Sequence, residues 1–151
     1  MNIKRVFLLL VISVIGFTHC KNKSNEPSPT MTSSGFLTVS GTTETLSVSY
    51  NNSKPYQITG TASTGIYTSL AASFPNGQPN AGFAVTFPST NLNLFIYNSS
   101  NGSQYNATSG SATIQVSSTF TTTINFTNVT FTSSQNSSQT FVASGQMINV
   151  N

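Results

Sequence analysis

From Gly35 to the end of the chain, apolar side chains fall on alternate positions, and that period of two limits the fold more than any other feature. Leu46, Val48 and Tyr50 alternate with Ser47 and Ser49. After the turn Asn51-Asn52-Ser53-Lys54-Pro55, Tyr56 and Ile58 continue the pattern. Phe83, Val85 and Phe87 alternate, as do Leu92, Leu94 and Ile96, with Phe95 and Tyr97 on the opposite face. Further on come Ala112, Ile114 and Val116, then Phe120, Thr122, Ile124 and Phe126, with Phe120, Ile124 and Phe126 read as core. At Asn128 the phase slips by one residue and Val129 and Phe131 carry on the apolar side, which predicts a β-bulge or a break between two strands. Asn98-Ser99-Ser100-Asn101-Gly102 and Ser133–Ser138 are turn sequences. Ile66–Phe74 suits a strand or a helical turn equally, and no segment sustains a helical period. The expectation is an all-β domain: an antiparallel β-sandwich of about nine short strands, with an open β-barrel as the alternative.

A chain this polar must first be distinguished from a disordered one. Charged residues make up 5% of it, against about 25% in an ordinary domain. Disordered chains are typically rich in charge and poor in aromatics. This one has 11 Phe and 5 Tyr in alternating patterns, with Ser, Thr and Asn supplying the polar positions. The formal charge of +3 comes from the start of the chain, where Lys4, Arg5, Lys21 and Lys23 lie. Past residue 30 the charged side chains are Glu44 and Lys54, so the domain has no basic patch to attract nucleic acid.

The first residues read as a secretory signal, residues 1–19. Lys4-Arg5 precedes an apolar run from Val6 to Phe17, too short for the roughly twenty residues of a membrane-spanning helix. Phe17-Thr18-His19-Cys20 then places the chain's one cysteine directly after that run. This ending resembles a lipoprotein signal peptide, with Phe17 and His19 standing where the usual box has Leu and a small residue. The resemblance implies that Cys20 receives a diacylglyceryl group, that the leader is cut before it, and that the new amino terminus is acylated by a chain such as palmitate. Residues 20–34 (Cys20 through KNKSNEPSPTMTSS) carry Pro27, Pro29 and several serines, the composition of a flexible tether. Residues 35–151 form the single β domain.

The run Tyr105-Asn-Ala-Thr-Ser-Gly-Ser-Ala-Thr-Ile-Gln-Val, with Ile124-Asn-Phe-Thr-Asn-Val-Thr-Phe and Phe141-Val-Ala-Ser-Gly, resembles small Bacteroidetes-type lipoproteins with a C-terminal β-sandwich-like domain. The likeness covers the signal and about the last fifty residues. It implies a cell-envelope location in the outer membrane, on its periplasmic or surface face, and carries over no functional residues.

Composition restricts the available chemistry. After residue 30 there is no His, Cys, Asp or Arg. General acid–base catalysis, nucleophilic triads and paired-carboxylate glycosidases each need convergent groups that this stretch lacks. Zinc and calcium sites need several ligands of the same missing types. The expectation is no enzyme, no cofactor and no metal. Uncharged Asn, Ser, Thr and Tyr can nevertheless bind. Tyr50, Tyr56, Tyr67, Tyr97 and Tyr105, with Asn98 and Asn101 on the adjacent turn, are the candidate ligand-binding residues, against the commoner reading of tyrosines as half-buried sheet residues. The function expected is a lipid-anchored envelope protein with a binding or structural role, whose partners are the membrane through acylated Cys20 and a glycan or envelope protein. Alternatives are a carbohydrate-binding module on a lipid tether and an adhesin or pilus-type assembly subunit pairing through edge strands.

Overall fold

The structure, a computed structural model, describes residues 31–117 and 121–150. The expected leader, Cys20, most of the tether, Thr119 and Phe120 lie outside the described residues. Strands are β1 (Ser34–Val39), β2 (Thr42–Asn51), β3 (Tyr56–Ala62), β4 (Tyr67–Phe74), β5 (Phe83–Thr86), β6 (Asn93–Asn98), β7 (Ser103–Val116), β8 (Thr122–Ser133) and β9 (Thr140–Asn149). Of the ambiguous Ile66–Phe74 stretch, Tyr67–Phe74 forms β4 and Ile66 stays in the loop before it, and no helix forms among the described residues. β1 starts at Ser34, one residue before the expected boundary. Ser33 belongs to the domain too, since its Oγ accepts from the Val150 N–H at 2.9 Å.

Every pairing is antiparallel, in the order β5-β7-β6-β4-β3-β2-β1-β9-β8, and β8 then pairs with β7. That last pairing closes a ring of β1, β2, β3, β4, β6, β7, β8 and β9, with β5 as an added strand. The expectation of a sandwich is therefore corrected. There is one sheet, curled until its ends meet, and it is a closed barrel, whereas the alternative expected was an open one. A period of two is common to both architectures. They differ in long-range pairing, here β1 with β9, strands from opposite ends of the domain. β7 is long enough to pair with β6 through Ser103–Asn106 and with β5 through Ser111–Ile114 on the same side, so β5 and β6 lie end to end along it.

Alternation decides which side chains point inward. Leu37, Leu46, Ile58, Leu70, Leu94, Ile96, Ile114, Ile124, Phe131 and Met147 fill the interior, as an eight-stranded barrel just wide enough for packed side chains requires. Most outward positions are polar, as in Thr43, Thr45, Ser47 and Ser49 of β2, with Phe36, Tyr97 and Val142 as exposed exceptions. This is the reverse of a lipid-facing barrel, which carries an apolar band outside and polar groups within.

Local devices bend the sheet. The phase slip at Asn128 is a bulge inside β8 between Phe126 and Val129, with Asn128 at φ 53°. Its N–H donates to Ser144 Oγ at 2.9 Å. Inside the β1–β9 seam, Gly35 and Gly145 face Met147 and Leu37 in register. A Cβ at Gly145 would sit 2.7 Å from the Phe36 carbonyl oxygen, so the missing side chain lets the strands close up.

The barrel has two distinct ends. Connections β1–β2, β3–β4, β6–β7 and β8–β9 cluster at one, the hairpin end. The chain enters and leaves at the other, the terminal end, where Ser33 meets Val150.

Candidate functional site

A cavity of about 240 Å³ opens at the hairpin end, lined by Leu37, Val39, Glu44, Gly65, Ile66 and Tyr67 among others. Its walls come from the β1–β2 and β3–β4 hairpins. In the first, Ser40 and Gly41 both have positive φ, 50° and 82°, the backbone of a two-residue hairpin turn between Val39 and Thr42. The second is tied sideways, because Ser99 N–H donates to the Ile66 carbonyl at 3.2 Å.

Glu44 is the unusual member. It lies opposite Leu37 in the β1–β2 register, and Leu37 is 1% exposed, so the two side chains share the inner face. The one carboxylate past residue 30 is thus turned into the barrel mouth, although the outer wall is the usual place for a charge. Glu44 Oε2 accepts from Thr64 Oγ1 at 2.8 Å. Oε1 lies over Gly65, where a Cβ would stand 2.6 Å away and where φ is 90°, so glycine serves both the turn and the carboxylate. Lys54 lies beyond the far end of β2, past Asn51, roughly 23 Å along the strand at about 3.3 Å per residue. It cannot pair with Glu44.

Tyr67 forms one wall of the mouth. Its ring lies 4.6 Å from Phe141 and 6.3 Å from Tyr105. Burial, and then the neighbouring Tyr105, raise the Tyr67 pKa above its ordinary value near 10. At neutral pH this phenol is a protonated hydrogen-bond donor.

The structure divides the expected binding residues between the two ends of the barrel: Tyr67, Tyr97, Asn98, Asn101 and Tyr105 lie towards the hairpin end, with Asn98 opposite Tyr67 in register, and Tyr50 and Tyr56 lie towards the other. Tyr67 and Tyr105 join Phe141 and Phe131 in an aromatic cluster near the hairpin end. Tyr50 and Tyr56 belong to a second cluster with Phe74 and Phe83, towards the terminal end. Tyr56 and Tyr105 are buried core residues whose rings are packed inside, so neither presents a face to a sugar. The Tyr56 hydroxyl accepts from Asn149 Nδ2 at 3.2 Å. Tyr97 stands on the outer wall, its neighbour Ile96 pointing inward. Asn98 and Asn101 are turn residues: their Oδ1 atoms accept from the N–H groups of Ser100 and Ser103 at 2.9 and 3.0 Å.

Sequence reasoning missed Glu44 as a site residue, although its signal was present. Glu44 is in phase with Leu46 and Val48, which marks it as inward-facing. Ile66, 55% exposed at the rim, gave no such signal because it lies in a loop.

A second, larger cavity of about 390 Å³ lies under the β4–β5 loop, lined by Phe74, Asn76, Pro79, Asn80, Phe83 and Asn91 among others. It has no charged wall residue. Among the described residues, no three His, Cys, Asp or Glu side chains come together. Comparison with protein-family models, curated proteins and solved structures finds no match.

Proposed function

We propose that the chain is exported, cut before Cys20, and held on the outer membrane by acyl chains on that cysteine, with its barrel acting as a non-catalytic binding module. The observation that supports this most directly is the polarity of the barrel. Its polypeptide enters at the terminal end, beside Val150, while the carboxylate-bearing cavity opens at the hairpin end. The hairpin end, which carries that cavity, is read as the working face. Chemistry favours holding over transforming. Proton transfer needs acid and base within hydrogen-bond reach of one reacting group, and Glu44 and Lys54 lie towards opposite ends of β2. The nearest titratable neighbour of the cavity, Tyr67, keeps its proton more firmly than a free tyrosine.

The anchoring is tested by expressing the full chain in a diderm bacterium fed an alkyne analogue of palmitate. The wild-type chain is expected to take up label and fractionate with membranes, and Cys20→Ser to do neither. An unlabelled wild-type chain overturns the anchored reading.

A further inference from the structure

We propose that the hairpin-end cavity binds a small organic ammonium ion, a primary amine carrying an apolar body of about ten heavy atoms. The inference rests on the reading of the hairpin end as the working face, and names its ligand class. Its first support is charge. Glu44 is a half-buried residue that lines the mouth. The hydrogen bond found for it comes from a neutral hydroxyl, Thr64 Oγ1, and the single lysine past residue 30 lies beyond the far end of β2. A carboxylate beside apolar walls gains most from a partner that brings both charge and N–H donors.

The second support is the lining. Leu37, Val39 and Ile66 form apolar walls beside the carboxylate, and the Tyr67 ring borders the same space. Such walls suit a hydrocarbon body, and an aromatic face within about 6 Å adds attraction for a cation. Size is the third. At roughly 30 Å³ per water, the cavity's 240 Å³ equals about eight waters, below the 300–1,000 Å³ typical of drug-sized ligands. A metal ion fits poorly, since calcium takes six to eight oxygens and the mouth supplies one carboxylate with a single hydroxyl on it.

The test titrates the full chain, purified in a non-ionic detergent, with phenethylammonium, with its neutral counterpart 2-phenylethanol, and with phenylacetate. Calorimetry measures affinity and amide chemical shifts locate the site. Saturable binding of phenethylammonium is expected, with shifts at Leu37, Val39, Glu44 and Ile66. 2-Phenylethanol is expected to bind at least roughly tenfold more weakly and phenylacetate weaker still. Glu44→Gln should remove the preference for the cation, so that phenethylammonium and 2-phenylethanol bind with similar affinity. The three-ligand comparison on the wild-type chain stands even if that variant does not fold. No saturable binding, equal affinity for the cation and the alcohol, or shifts confined to Phe83 and Asn80 would each overturn the assignment. Palmitate labelling is unaffected by any of these results, so failure of the ligand and failure of the anchor are told apart.

Discussion

An alanine at position 145 would place its Cβ 2.7 Å from the Phe36 carbonyl oxygen and 2.7 Å from Phe126 Cζ. Ordinary carbon contacts lie near 3.5–4.0 Å, so something must move. The Phe126 ring can turn. The carbonyl cannot move freely, because Phe36 and Leu37 are laddered to Gln146 and Gly145 across the seam. Overpacking of this kind costs about 1–3 kcal/mol. Against it stands the reduced entropy of the unfolded chain on exchanging glycine for alanine, about 0.4–1 kcal/mol. The net expectation for Gly145→Ala is a loss of about 1–2 kcal/mol. For about 120 residues, at roughly 2.1 cal/mol/K per residue, this lowers Tm by about 4–8 °C. Urea unfolding followed by circular dichroism measures it, with the same substitution repeated in a Phe126→Leu background. The smaller side chain relieves the ring contact but not the carbonyl contact, so only part of the loss should return. If Gly145→Ala is as stable as the wild-type chain, the seam is not tight and the account of closure is wrong.

Two further outcomes follow from local geometry. Asn128→Val puts a β-branched residue at φ 53° and should cost about 1–2 kcal/mol, whereas Asn128→Gly should stay within about 1 kcal/mol of wild type; equal stabilities in urea would show that the bulge does not need its left-handed residue. The raised Tyr67 pKa sets a pH dependence: the folded chain holds this proton more tightly than the unfolded one, so the contribution is full below the unfolded value near 10 and is lost as pH rises through the higher folded value. Tyr67→Phe should therefore flatten the fall in stability between about pH 9 and 11, and unchanged slopes would refute it.

Much of the wall was legible before the fold was. Alternation located the strands, and the slip at Asn128 marked the bulge in β8. Closure was illegible because it depends on β1 meeting β9, strands from opposite ends of the domain. The tyrosines were harder to place than the aliphatics. Tyr56 is in phase with Ile58 and could have been read as inward, while Tyr97 alternates with Ile96 and was read as outward. Tyr105 lies on a strand whose register shifts between Ala107 and Ser111, so its phase cannot be carried over from Ala112 and Ile114. Of the mouth, Tyr67 was named from the sequence and Glu44 was legible in its phase but not named, while Ile66 and Gly65 reach it through a loop that carries no period.

The ring also governs how this chain meets its own copies. A sequence so rich in Thr and Phe and so poor in charge is the kind that templates fibrils when a strand's flank lies open. In the eight-strand circuit each flank is already occupied, and the sheet order ends at β5, four residues long. That leaves a stub too short to seed a growing stack. Closure thus takes over part of the task that like charges perform on most protein surfaces, that of denying a second copy a strand to pair with.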